Sequence, residues 1–226
     1  MKRTHVPAHI TTRSLLAPTF MSTTPASHNA CLLRVELNDF KPAIYRDVLV
    51  APDITLRALH KVIQAAMGWD DAHLYAFAQP LRASESFWQI PTERKWQKPT
   101  PDDWGDEPMG NNDAKVKLSQ LLTAPKQRLL YLYDFGDEWL HTVTLTAFCT
   151  TDQPLPHLLK AQNGCPPEDC GGPPGAEYWA AAWYDSAHEE HETARDMFGD
   201  QEPGSLDFAA LQKAVAKLKK PARKRA

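Results

Sequence analysis

Two apolar runs separated by four turn residues constrain this chain more than anything else in it. Arg128 to Tyr133 and Glu138 to Phe148 have the length and composition of strands, and Asp134-Phe135-Gly136-Asp137 between them supplies tight-turn chemistry. A chain with this pair is organised around a sheet. A second hairpin is expected earlier. Leu33, Val35 and Leu37 alternate with Arg34, Glu36 and Asn38, which is the period of two of a half-buried strand. Asp39 to Pro42 turns the chain, and Ala43 to Val50 returns it.

Between the hairpins the periodicity changes. Leu56, Leu59, Ile63 and Ala66 fall at helical spacing behind Asp53 and Thr55, either of which can cap the free N–H groups, and Gly68 is placed to end the helix in a left-handed conformation. His73 to Ala78 reads as the next strand. Strand–strand–helix–strand is the order of a small α+β sandwich, similar to the start of a ubiquitin-like grasp. From Arg82 to Asp113 the pattern fades, and Trp88, Trp96 and Trp104 argue for a long ordered loop over the sheet, with room for a short strand. Val116 to Leu122 is a short helix ended by Pro125. After the second hairpin comes a Pro-rich connection, then helices over Ala176 to Tyr184, Ala187 to Met197 and Leu206 to Leu218. The expected fold class is therefore α+β: one compact domain over 31–218 with an N-terminal ββαβ, grasp-like unit, a second β-hairpin and C-terminal helices. Residues 1–30 read as a disordered N-terminal segment and 219–226 as a basic tail, and Met21 offers an alternative start to Met1.

The formal net charge of −3 conceals an asymmetry. Residues 31–210 carry 15 basic against 28 acidic side chains, whereas 211–226 hold seven basic and no acidic ones. So acidic a body repels a phosphate backbone, which leaves nucleic acid only the basic C-terminal tail to approach. No run nears the roughly 20 apolar residues of a membrane span, so no membrane association is expected. Four cysteines without an apolar leader read as reduced thiols in a cytoplasmic protein.

Three strings carry a resemblance. The first runs from Pro42-Ala43-Ile44-Tyr45-Arg46-Asp47-Val48-Leu49-Val50 through Leu59-His60 and Ala66-Met67-Gly68-Trp69 to His73-Leu74. The second is Tyr133-Asp134-Phe135-Gly136-Asp137-Glu138-Trp139, ending in His141. The third is Cys165-Pro166-Pro167-Glu168-Asp169-Cys170-Gly171-Gly172-Pro173-Pro174-Gly175. In order and wording they resemble the plasmid pRiA4b ORF-3-like family over roughly residues 31 to 200. The resemblance implies an α+β domain found in bacteria and archaea, often near mobile elements and mostly of unknown function. Some members carry a resolvase or transposon-passenger label. This chain lacks the nucleophilic serine among arginines and the helix-turn-helix reading head that a serine resolvase needs.

The chemistry-bearing residues gather in those strings. Asp134, Asp137 and His141, joined by His60 and His73, could bind a divalent metal, and Glu168 and Asp169 on a proline-stiffened loop could complete the cluster as ligands or acid–base groups. The simpler alternatives are that the turn aspartates cap their own backbone, that His141 is a core histidine, and that the acidic loop is a clamp. Cys165 and Cys170, with four residues between them, sit at the loose edge of zinc-ligand spacing, and a complete site would need two of Cys149, His157, His188 or His191. The sequence thus leads to a binding or accessory module for an unidentified ligand or protein partner, with a metal-dependent hydrolase as the competing class and a nucleic-acid-associated role for the tail as a third.

Overall fold

In this computed structural model residues 28–99, 109–199 and 201–218 are described; the expectations for 1–27 and for the tail 219–226, like Trp104, lie outside them. The strands are β1 (Ala30–Leu37), β2 (Ile44–Val50), β3 (Tyr75–Ala78), β4 (Lys95–Gln97), β5 (Asn111–Asn112), β6 (Arg128–Tyr133), β7 (Trp139–Cys149) and β8 (His157–Gln162). They form one sheet in the order β5-β4-β3-β6-β7-β1-β2-β8, antiparallel throughout except for the β4–β5 pair. The helices are α1 (Leu56–Met67), α2 (Leu118–Leu121), α3 (Gly172–Tyr184), α4 (His191–Met197) and α5 (Phe208–Lys217). This is the expected α+β class, with both hairpins in place. The second hairpin inserts between β3 and the first, so the ββαβ unit is not contiguous in the sheet.

Alternation puts Leu33, Val35, Leu37, Val48, Tyr131, Tyr133, Trp139, Val143 and Leu145 in the core that α1 and α5 cover. Thr55 caps α1 through the Ala58 N–H, and Gly68 ends it at φ +91°, with its own N–H bonded to the Gln64 carbonyl. Leu56, Leu59, Val62, Ile63 and Ala66 are buried on one face, each of the larger ones contributing roughly 1.5–3 kcal/mol. The opposite sheet face carries a smaller cluster of Ala76, Ala78, Phe87, Ile90, Leu130 and Leu132. The stretch after Arg82 does lie over the sheet, but Phe87 and Ile90 anchor it, while Trp88 is half exposed.

Two segments depart from the sequence reading. The Pro-rich connection contains β8, an edge strand in which only Leu158 is fully buried, so it has no alternating signature. The second C-terminal helix starts at His191 rather than Ala187. His191 Nδ1 lies 2.9 Å from the Ala182 carbonyl, so this histidine ties α4 to α3.

Candidate functional site

The end of the sheet where β6 turns into β7 is enclosed by two other segments: residues 69–73, which lead from α1 into β3, and the loop 165–171 before α3. Four non-glycine residues here hold a left-handed backbone: Asp71 (φ +62°), Asp134 (+56°), Glu138 (+55°) and Asp169 (+59°). Aspartate tolerates that conformation better than most side chains, and such outliers concentrate where the chain is held in place by its surroundings.

His73, Asp134 and Asp169 come together at this end, each offering one ligand atom, all within 4.8 Å of one another. His73 Nδ1 is 3.5 Å from Asp134 Oδ2, and His73 Nε2 is 3.1 Å from Asp169 Oδ1. The second contact has ion-pair distance without hydrogen-bond alignment. Asp134 is almost buried. Its Oδ1 accepts the N–H groups of Gly136 and Asp137, which fixes the turn and leaves Oδ2 facing the histidine.

The remaining acidic candidates are engaged elsewhere. Asp137 Oδ2 accepts the Gly171 N–H at 3.1 Å, at the start of α3. Glu168 accepts the Tyr133 hydroxyl through Oε1 and the Asp70 N–H through Oε2, the latter at 2.7 Å. The Tyr133 oxygen in turn accepts the N–H groups of Ala72 and His73, and Trp69 Nε1 donates to the Pro166 carbonyl at 2.9 Å. Tyr133, Glu168 and Trp69 thus fasten the two segments that supply His73 and Asp169.

His60 and His141 do not join that group. His60 is buried, stacked on Tyr75, with Nδ1 2.8 Å from the Tyr131 hydroxyl and Nε2 2.6 Å from Asp71. Gln64 Nε2 donates to the same hydroxyl, so Tyr131 gives its proton to Nδ1, and Nε2–H donates to Asp71. His141 is fully buried with Nδ1 2.9 Å from the Trp139 carbonyl, which makes Nδ1 the protonated nitrogen. Burial pushes His60 down to about 3 and His141 down to about 4. Both are neutral in the fold, whereas the unfolded chain protonates them below pH ~6.5. The unfolded state then binds more protons, and stability falls as pH drops below that value. The expected loss from His141 is about 2 kcal/mol between pH 6.5 and 5, and His60, neutral in the fold over the same interval, adds to it. Urea unfolding across that range checks this, and His141→Phe should flatten the slope by about one proton.

The cysteines are free thiols. Cys165 Sγ faces Arg46 Nη2 at 3.2 Å and Met67 Sδ at 3.4 Å. Burial raises Cys165 to about 11 and Cys170 to about 12, so neither is a ready thiolate ligand. Among the described residues, no second pair of ligands approaches them, which argues against the zinc arrangement considered from sequence.

With this geometry in view, comparison with known proteins is decisive about kinship. The family model for the plasmid pRiA4b ORF-3-like protein matches residues 29–213. The chain belongs to that family. An uncharacterised protein of Sinorhizobium fredii (strain NBRC 101917 / NGR234), y4hQ, is 36% identical over 189 residues, covering 82% of this chain and 90% of that protein. The crystal structure of a protein of unknown function from Methanosarcina mazei Go1, MM3350, superposes with a TM-score of 0.66 at 28% identity. It covers 82% of this chain and 97% of the other. Among the described residues no helix is long and apolar enough to cross a membrane.

The three strings singled out in the sequence meet physically in this fold. The first supplies Arg46, Trp69 and His73, the second Tyr133, Asp134 and Asp137, and the third Cys165, Glu168 and Asp169. Sequence reasoning overlooked Arg46, which is fully buried. Its position shares parity with Ile44, Val48 and Val50, so alternation already pointed its side chain into the core.

Proposed function

We propose that the chain is a metal-dependent binding module, taking up one divalent cation through His73, Asp134 and Asp169. The observation that carries this reading is the convergence of three ligand atoms, from three separate segments, within 4.8 Å. Octahedral or tetrahedral ligands about 2.0–2.2 Å from an ion stand roughly 3.0–3.5 Å apart. One ion takes a single His73 nitrogen, so either the 3.5 Å Nδ1–Asp134 or the 3.1 Å Nε2–Asp169 contact is a ligand spacing of that kind, and the other carboxylate lies within the 4.8 Å spread. One imidazole with two carboxylates suits zinc or manganese better than a soft ion. Three protein ligands leave coordination positions for a ligand or water.

Binding is favoured over hydrolysis by what surrounds the triad. A hydrolase needs a free acid–base group beside the metal-bound water. Glu168 and Asp137 already accept backbone or hydroxyl hydrogens, and His141 is in the core.

Elemental analysis of tag-free protein, before and after incubation with zinc or manganese, tests the proposal. The expected result is about one ion per chain, with affinity reduced 10–100-fold or more in His73→Ala, Asp134→Asn and Asp169→Asn. Asparagine at 134 keeps an oxygen for the turn, so Asp134→Asn should retain near-normal stability. No uptake of either ion, or uptake indifferent to all three substitutions, would overturn it.

A further inference from the structure

We infer that a groove beside the first hairpin binds a basic peptide segment. The groove has a volume of about 990 Å³ and opens to solvent between the β1–β2 turn, the loop before α3, and α3 itself. That volume lies at the upper end of small-molecule sites, and the open side admits an extended chain. Its lining combines apolar residues (Ile44, Pro166, Pro173 and the rings of Phe40, Tyr184 and Phe198) with polar surface of comparable extent.

Charge decides the occupant. Glu36, Asp39 and Glu177 line the groove against a single cation, Lys41. All three carboxylates are exposed, and among the described residues none has a hydrogen bond or ion pair. They come from opposite sides, two from the hairpin and one from α3, so they call for cations spaced along a chain rather than one compact charge. The rings add faces over which lysine and arginine stems and heads pack, through cation–π attraction and apolar contact. Tyr184 is held in place by donating to Glu202 at 3.0 Å while more than half exposed. An acidic peptide would meet three like charges here against one lysine, which costs affinity.

This inference is independent of the metal proposal. The test uses a fluorescent octapeptide of alternating lysine or arginine with serine, titrated into the whole chain and followed by polarisation. Binding should weaken with salt. It should fall about tenfold in the triple variant Glu36→Gln, Asp39→Asn, Glu177→Gln, as expected for three exposed charge contacts, and fall again in Tyr184→Ala. A control neutralises three carboxylates elsewhere (Glu189→Gln, Glu192→Gln, Asp196→Asn) and should leave binding within about twofold. All these positions are exposed, so the variants should fold, and equal melting temperatures would verify that. Failure of the peptide to bind, or equal weakening by the groove and control triples, overturns the inference. His73→Ala should bind the peptide normally, which separates this result from the fate of the metal site.

Discussion

Arg46→Ala should destabilise the fold by about 3–5 kcal/mol, because several buried carbonyls lose a charged hydrogen-bond donor and a cavity opens. Arg46 is fully buried and has no carboxylate in contact among the described residues. Its Nε donates to the Ala66 carbonyl at 2.7 Å, and its Nη1 to the carbonyls of Tyr45, Gln162 and Asn163 at 2.9–3.1 Å. Ala66 lies in the last turn of α1, where unpaired carbonyls and the negative end of the helix dipole compensate a cation. One guanidinium therefore joins α1, β2, the end of β8 and the loop that begins at Cys165. Alanine would leave those carbonyls without donors and open a cavity among the largest buried side chains. Native domains hold only about 5–15 kcal/mol in total, so the loss should lower the melting temperature by roughly 10 °C. Arg46→Met fills the volume without donating and should recover only the cavity part. Arg46→Lys keeps the charge but not the planar fork, and should fall between the two. Guanidinium unfolding midpoints would measure all three, and a change below about 1 kcal/mol in Arg46→Ala would refute this account.

The residues that were legible in sequence are those whose neighbours are local. Thr55 and Gly68 cap α1 as expected because capping needs only the adjacent turn. β7 was readable because it alternates against one buried face, and β6 because it is a short continuous apolar run buried on both faces. β8 was not, since an edge strand with one buried side chain between prolines leaves no periodic trace. The site was half legible for the same reason. His73, Asp134 and Asp169 could be named from their types and strings, but which carboxylate would face which group is settled by packing. Asp137 and Glu168 have the same chemistry as Asp134 and Asp169. They differ only in lying beside the Gly171 and Asp70 N–H groups, which the sequence places 34 and 98 residues away. His141 could be assigned to either role until the covering of its strand face by α1 and Trp69 was known.

Gly172→Ala should cost about 2–5 kcal/mol, combining a left-handed backbone penalty of about 1–2 kcal/mol with an overpacking cost of about 1–3 kcal/mol. Gly172 has φ +68°, and a Cβ there would stand 2.3 Å from the Asp137 carbonyl oxygen. That oxygen belongs to backbone, held on its own side by the Asp134 turn and by the Gly171 N–H donated to the Asp137 carboxylate. Neither partner can swing away, so the β6–β7 turn and the loop before α3 must separate. Those two segments carry Asp134 and Asp169, and separating them pulls apart the triad with His73. The substitution should therefore weaken metal uptake as well as stability, though it touches no ligand atom. Gly204→Ala isolates the backbone contribution: Gly204 has φ +81° but nothing within 4 Å of where its Cβ would lie. It should lose only about 1–2 kcal/mol and keep normal metal affinity. Urea denaturation and metal titration of the two alanine variants side by side give the comparison. Equal stability losses would mean that the Asp137 contact yields, and an undiminished affinity in Gly172→Ala would show that the triad does not depend on the two segments staying together.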